Sequence, residues 1–460
     1  MAAIQYAGEY EINDVTLFSS SGNAIPLNTL IMQLVLFENI FSPSMSGQIT
    51  LIDTNSIVLN LPIIGQEYLS FKIKTASLGE EKTGIIDYTE NVFSIYKIDT
   101  RIMDGNMEAI ILHFTSPEMM RNNRIRVSKS YTKTIDKIVV DILQNERYIN
   151  SKKDLFIDRT VGVRKLIVPS SLPFTFIQKL ATEAISTKNK GSPYFMFFEN
   201  KDGIHFKNLE SLYKQNATQK YNTGKFLGAP NVLDEYSRPI SHQIAQSNDM
   251  LSNIRGGLLG AKLITHDIYK KNYNIKSFRY FKEFGTYNRI GNNPIYNDNV
   301  IDEFGNKVDS FTDANIQLNS TSKVGEDKDA QHYTDVATAP YSPNGIEKSL
   351  LHRQAKFMEL TEGVSLILEV HGMTNMAVGQ IIDFEMLVVG ETHGKEKVDP
   401  YYSGKYLITQ LRHEFNEVPQ RHHSIFMTIV KDGYKKELEK NTDAKEPKKR
   451  SKGVVNRNAA

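Results

Sequence analysis

"LFENIFSPSMSGQITLIDT", Leu36 to Thr54, is an apolar run, a corner at Ser42-Pro43, and then a strand-like alternation. A catalytic corner would carry His, Asp, Lys or Cys; this one carries Ser, Pro, Met and Gly. Two sticky segments joined by a corner without chemistry read as an assembly surface. Its candidate contact residues are Phe37, Ile40, Phe41, Pro43 and Met45. The flanks extend the pattern. "QYAGEYEINDVTLF" alternates, and "NTLIMQLVLFENIF", "EYLSFKIKT", "FSIYKIDTRI" and "EAIILHFTS" each make a strand-length run between turn signals. The Asp-Gly pair in "MDGN", Met103 to Asn106, favours a tight hairpin between the last two. Residues 1–118 therefore predict a β-barrel or sandwich.

The periodicity then changes. In "SYTKTIDKIVVDILQNE", Ile135, Ile138, Val139, Ile142 and Leu143 form one helical stripe, with Ser130 or Thr132 as the cap. A second helix follows in "SSLPFTFIQKLATEAIST". Ser170 or Ser171 lies in its capping region, Pro173 in its first turn, and Phe174, Ile177, Ala181 and Ala184 share a face. "SPYFMFFENKDGIHFKNL" reads as a hairpin turning at Lys201-Asp202-Gly203. Residues 119–235 thus form a mixed α+β unit. From 236 to 435 the strand-like character returns, with a helix at "EKSLLHRQAKFMEL". It is interrupted at about 276–344 by a stretch rich in Asn, Asp, Gly, Tyr and Ser, expected as an irregular surface insertion. Residues 436–460 lack an apolar face and are expected to be a disordered basic tail. The fold class is α+β and β-rich.

Composition narrows the function. A chain of 460 residues suggests roughly two to four domains. The 55 basic and 53 acidic residues balance to +2, so no global field favours nucleic acid or membrane. The asymmetry is local: seven basic against two acidic residues from Lys440 onward make the tail +5 and leave −3 for the rest. With no cysteine, disulfides, Cys-ligated metals and thiol catalysis are excluded. "MAAIQYAGEYEIND" has no signal-peptide pattern, and no apolar run approaches the roughly 20 residues of a spanning helix, which predicts a soluble protein.

Two strand-rich blocks resemble each other. Gly47 opens "GQITLID" and, eighteen residues later, Gly65-Gln66 opens "GQEYLSFKI"; Gly363 opens "GVSLILE" and, sixteen residues later, Gly379-Gln380 opens "GQIIDFEML". Each block closes with two strands, "FSIYKIDTRIMDGNMEAIILHF" in one and "YLITQLRHEFNEVPQRHHSIFMTI" in the other. Unrelated meanders can share this spacing; the sharper alternative is an internal repeat of one β-domain.

With "LPIIGQEYLSFKI", "FTSPEMMRNNRIRVSKSYTKTIDKIVVDIL", "SSLPFTFIQKLATEAI" and "SGKYLITQLRHEF…TIVKDG" in order after the opening stretch, the chain resembles the T-even-like baseplate hub proteins of contractile-tailed phages. That family is related to the N-terminal region of type VI secretion spike proteins. The similarity is collinear from about Glu9 to Gly433 and stops at the insertion and the tail. It implies two similar tube-type β-barrel domains per chain, at 1–118 and 236–435. It implies a homotrimer adapting the hexameric tail tube to a trimeric central spike, contacts to baseplate wedge proteins, and a lumen passed by DNA or tape-measure protein. The location implied is the virion tail baseplate after synthesis in the host cytoplasm. Under it the Ser42-Pro43 corner is an exposed loop packing on a neighbouring subunit or the wedge. The Arg121, Arg124 and Arg126 cluster in "MRNNRIRVSKS" is a second interface candidate, since guanidinium groups fork onto a neighbour's carboxylates.

Catalytic patterns fail one by one. "VVGETHGKEK" spaces its glycines one residue too closely for a phosphate loop and places Glu396 where a hydroxyl is needed. "RHEFNE" has Glu417 four residues after His413, not a second histidine, and His413, His422 and His423 read as solvated residues on a strand and turn rather than a metal or pH-sensing cluster. No Gly-x-Ser-x-Gly elbow occurs, and no carboxylate pair stands out as a glycosidase couple. "EPKKRSKG" is a solubilising end or tether, with a nucleic-acid arm as its rival. The expectation is a structural protein without enzyme activity, cofactor or metal; a tail-associated cell-wall hydrolase or a carbohydrate-binding tail protein is the alternative.

Overall fold

The computed structural model describes residues 6–20, 22–53, 63–75, 84–104, 107–224, 231–246, 249–267, 271–298, 306–320, 346–388, 398–418 and 420–439. The phosphate-loop look-alike from Val389, the tail from Lys440, and Gly105 and Asn106 of the expected tight turn lie outside these residues. The strands on either side of that turn pair antiparallel, with Asp104 opposite Met107.

Fourteen of the strands assemble into one sheet, and the others form three small ones. Along the first half, Ile31–Asn39, Ser46–Asp53, Met107–Thr115, Phe93–Asp104 and Tyr68–Thr75 are neighbours in that order, all antiparallel. Along the second, Pro239–Gln246, Val364–His371, His422–Lys431, Gly404–Asn416 and Ile381–Glu385 follow the same order with the same directions. Two of the irregularities coincide as well, while those between Ile98 and Arg101 and between Ile244 and Gln246 have no counterpart. A bulge between Ile31 and Gln33 matches one between Pro239 and Ser241, and a bulge between Ile95 and Lys97 matches one between Ile408 and Gln410. Ile95 donates its amide to the Glu67 carbonyl as Ile408 does to that of Gln380, and Gly65 and Gly379 just before both adopt left-handed φ, +87° and +84°. A bulge is a specified feature of a strand pair, so shared bulge positions argue for one module written twice. No closed barrel forms among the described residues of a single chain; the two modules are halves of one open sheet.

One part of the sequence alignment shifts. Gly47 lies inside its strand, opposite Leu36 and Phe114. Its positional equivalent is Leu366, opposite Ile244 and Ile429, and not Gly363, which precedes the strand. The volumes compensate: a glycine beside Phe114 in one module, a leucine beside an isoleucine in the other. Phe114 belongs to an aromatic core with Phe71, Tyr88 and Phe93, whose ring centroids lie 4.4–6.1 Å apart along the chain of contacts.

Between the modules in sequence, helices Pro117–Arg124, Ile135–Gln144 and Pro173–Glu183 pack on the Phe195–Asn200 and Gly203–Asn208 hairpin. All nine apolar residues assigned to helix faces are buried, and the hairpin turns at Lys201-Asp202. The capping differs. Ser130 and Thr132 belong to a strand paired with Val163–Ile167, and Thr134 and Leu172 stand at the two helix starts without a side-chain cap bond. Tertiary pairing of the flanking strand decides the first of these starts. Strand Ala217–Asn222 leaves this unit and runs parallel to Ile381–Glu385, extending the second module.

The described part of the expected irregular insertion is ordered structure. Gly260–Asp267 pairs with Asn272–Arg279 and with Ile316–Ser320, Tyr280 is fully buried, and Ile295 and Tyr296 join its core cluster. Asp432 at the end of a module strand accepts the amides of Ile290 and Gly291, at 2.9 and 3.1 Å, and is paired with Lys356 of helix Ile346–Glu362. The polar composition of the stretch reflects these buried hydrogen bonds as well as its surface.

A Cβ on Gly47 would overlap the Phe114 ring and the Val35 carbonyl oxygen. Gly47→Ala is therefore expected to cost about 1–3 kcal/mol through overpacking. Urea unfolding of the two proteins checks it, and an unchanged midpoint contradicts the packing described.

Candidate assembly seam and channel face

The modules meet where Ile31–Asn39 pairs antiparallel with Gly404–Asn416, in register from Gln410 opposite Asn39 to Asn416 opposite Gln33. Strand-to-strand amide bonds carry the seam, and outlying contacts extend it. Ile40 donates to the Thr409 carbonyl at the bulge (3.0 Å), Gln33 to the Asn416 side chain (2.8 Å), Glu417 to the Met32 carbonyl (2.9 Å), and the Tyr10 hydroxyl to Glu417 (2.8 Å). Glu38 faces inward from the seam strand and is 2% exposed. Its carboxyl accepts the amides of Val378 (2.8 Å) and Lys201 (2.9 Å), so one side chain ties together both modules and the α+β hairpin. Burial pushes this carboxyl up to about 8, against the opposing pull of the two amides. The sequence held the signal: with Leu34 and Leu36 inward, alternation places residue 38 inward too.

Opposite Leu36 stands His413, and its Nδ1 lies 3.0 Å from Nε2 of His423. Both rings are fully buried, and Phe415 stacks on His423 at 4.1 Å. The solvated reading of these two histidines is thereby overturned: their strand alternation turns them into the core. His422, with its ring on the other face, is half-buried. Among the described residues no group of three or more His, Cys, Asp or Glu is placed to hold a metal.

The opposite face of the sheet is a second surface. A single row of mutually opposed residues crosses it as Tyr68, Ser94, Thr115, Ser46, Phe37, Arg412, Phe426, Glu369 and Ser241. The next row includes Lys97, His113, Gln48, Val35, Glu414 and Ser424. Uncharged polar groups dominate, and most of the charges are matched in place, with Glu369 accepting from the Ser241 hydroxyl. Arg412 pairs with Glu414 (2.9 Å), Asp99 with both Lys97 (3.3 Å) and His113 (3.0 Å), Lys72 with Asp87 (3.2 Å), and Lys74 with Glu11 (3.1 Å). Among the described residues such a face offers a polyanion no unneutralised cationic track.

The sequence-derived interface residues scatter. Phe37 lies in the polar row and is 38% exposed. Ile40 and Met45 are fully buried inside the chain, and Phe41 packs against Phe357 of the second module's flanking helix, ring centroids 6.4 Å apart. Pro43 is half-buried. The corner is not an exposed loop but an internal joint. The Met45 amide and the Ser116 hydroxyl donate to Glu199, which with Glu118 holds the buried ammonium of Lys153. Apolar content alone could not distinguish internal from external burial. Arg121 is committed to the carbonyls of Glu146 and Tyr148, while Arg124 and Arg126 are exposed.

No protein-family model matches the chain. It is 21% identical over 390 residues to the probable baseplate hub protein gp334 of Vibrio phage KVP40, spanning 83% of this chain and 86% of that protein. Among solved structures it shares the fold of a tail protein from Neisseria meningitidis MC58 (TM-score 0.52, 10% identity, 93% of this chain and 99% of that one). It is also similar to the 43 kDa tail protein of prophage MuSo2 from Shewanella oneidensis (TM-score 0.51, 9% identity, 91% and 98%). The homologue is thus a probable phage baseplate hub protein, as the sequence resemblance implied, and the two solved structures are tail proteins.

Burial holds the His413 imidazole down at about 3 and His423 well below the usual histidine value, the facing ring adding to the effect at His423. The folded chain keeps both neutral while the unfolded chain takes up protons near 6.5, so stability is lost as pH falls through that value. Replacing both, His413→Gln with His423→Gln, is expected to reduce the stability lost between pH 7 and 5 by about 2–4 kcal/mol. Urea titrations at the two pH values measure it; an unaltered pH slope contradicts the burial.

Proposed function

We propose that this chain is the hub of a phage tail baseplate. Three copies close a ring that adapts the hexameric tail tube on one side to a trimeric central spike on the other, and the ring's hole is part of the channel for genome delivery. The observation that carries this reading is the duplicated module. Two copies of one five-strand arrangement in each chain, repeated three times, supply six similar wall segments around an axis. The tube-type barrel is then a property of the ring, closed by several chains, and each chain contributes an open arc of it. Homology to a baseplate hub protein and the fold of tail proteins support the same assignment. The work is geometric: backbone pairing holds the ring, and exposed surfaces grip tube, spike and wedge.

The polar, charge-matched face fits the channel wall. DNA or tape-measure protein passing it meets hydrogen-bonding groups that water serves equally well, and no run of free cations. The hub sits in the virion tail baseplate after synthesis in the host cytoplasm; among the described residues no helix is long and apolar enough to cross a membrane.

Light scattering of the purified chain, alone and co-expressed with the cognate spike, tests the ring. A threefold mass with a central hole under the electron microscope is expected, and a monomer under both conditions overturns it. Lysines introduced at Gln48, Thr50 and Gln410 are expected to leave assembly intact and slow genome release. Virions carrying the triple variant, scored by fluorescence of ejected DNA, check this; unchanged kinetics would remove the face from the channel.

A further inference from the structure

The internal seam uses two strand edges, and among the described residues the duplicate of each has no partner strand. In the second module, Gly404–Asn416 gives the start of one edge to Ile381–Glu385 and, past the Thr409 bulge, the remainder to Ile31–Asn39. In the first, the equivalent Phe93–Asp104 gives the start of that edge to Tyr68–Thr75; past the Tyr96 bulge no strand pairs with it among the described residues. Pro239–Gln246, the equivalent of Ile31–Asn39, pairs on one side with Val364–His371 and on the other with nothing described.

We infer that a second copy of this chain fills both edges: Pro239–Gln246 of one copy pairs antiparallel with the Ile98–Asp104 half of Phe93–Asp104 in the next, in the register of the internal seam. This rests on the ring proposed above and adds which strands meet and how they are aligned. The partner strands fix the alignment: Ile102 stands opposite Ala109 as Glu414 stands opposite the equivalent Ser424, an extra bulge between Ile98 and Arg101 having advanced Phe93–Asp104 by one residue. Glu414 opposite Val35 in the internal seam translates to Ile102 opposite Gln243 between copies.

Exposure supports the transfer. Thr409, covered by the internal seam, is 2% exposed, whereas Tyr96 at the same bulge is 47% exposed; Ile102, Ile240 and Ile244 are likewise 58%, 46% and 41% exposed along the two edges. Natural sheets blunt long free edges with lysine, proline or brevity. The far end of this sheet does so, with a three-residue strand ending in Pro26. In Pro239–Gln246 the proline stands only at the first residue; "SHQIAQ", Ser241 to Gln246, carries no lysine or proline and is left open to pairing. Because the two edges differ, the contact is head-to-tail and each copy offers one of each kind, which is the condition for a closed ring.

The absence of native cysteine makes the register directly testable. Residues directly opposite in an antiparallel pair hold their Cβ atoms about 4.5–5.5 Å apart, within reach of a disulfide after slight adjustment. Ile102→Cys with Gln243→Cys, co-expressed with the spike and mildly oxidised, is expected to convert most monomer to covalent dimer and trimer on a non-reducing gel. Ile102→Cys with Ile244→Cys, whose second thiol points to the other face, is expected to stay monomeric on the same gel. The native mass of each unoxidised assembly is measured alongside. A trimeric mass with no crosslink beyond the control overturns this register and leaves the ring; failure of both variants and the parent to assemble overturns both.

Discussion

The whole molecule depends on a backbone ladder between residues almost a full chain apart. Gln33 and Asn416, 383 positions apart in sequence, are hydrogen-bonded side by side, and the strands that carry them make two modules into one sheet. An edge strand carries a row of unsatisfied amides and carbonyls, so joining two sheets edge to edge satisfies groups that would otherwise need water. Once that ladder forms, the inward side chains of both modules face a common side. The outward ones line up in rows that neither module could make alone.

The elements outside the sheet hold this geometry in place. Glu38, Glu199 with Lys153, and Asp432 with Lys356 each sit where three chain segments converge. A buried polar or charged group is costly unless its partners are all present, so such clusters tolerate only one relative placement of the pieces they join. The Ser42-Pro43 corner exists for the same reason. It returns the chain into the next strand while presenting the Met45 amide to a buried carboxylate.

The two modules also show what duplication preserves. Strand order, two bulge positions and a left-handed glycine are shared, while the side chains have diverged as far as Gly47 with Phe114 against Leu366 with Ile429. Backbone pairing is indifferent to most side chains, and a core requires only that the total volume be kept. In the proposed ring, sixfold likeness needs the preserved part, and distinct contacts to spike and wedge are free to use the rest.

Strand and helix identity was legible because period-two and 3.6-residue alternations are local, as the buried stripe from Ile135 to Leu143 shows. The sequence by itself also suggested the repeat through similar strand spacing and the pair Gly65 and Gly379, but it aligned Gly47 with Gly363, and only strand order and register showed the match with Leu366. Alternation turned Glu38, His413 and His423 inward; the two histidines were read as solvated because a polar residue type was weighed above its place in the alternation. Only the tertiary structure decided whether Ile40 and Met45 are covered by the same chain or by another. It alone ordered the Tyr280 region, matched Arg412 to Glu414, and joined the modules through Ile31–Asn39. The reason is physical: an apolar side chain encodes that it must leave water, whereas the neighbour that takes it there is fixed by long-range pairing that no local pattern records.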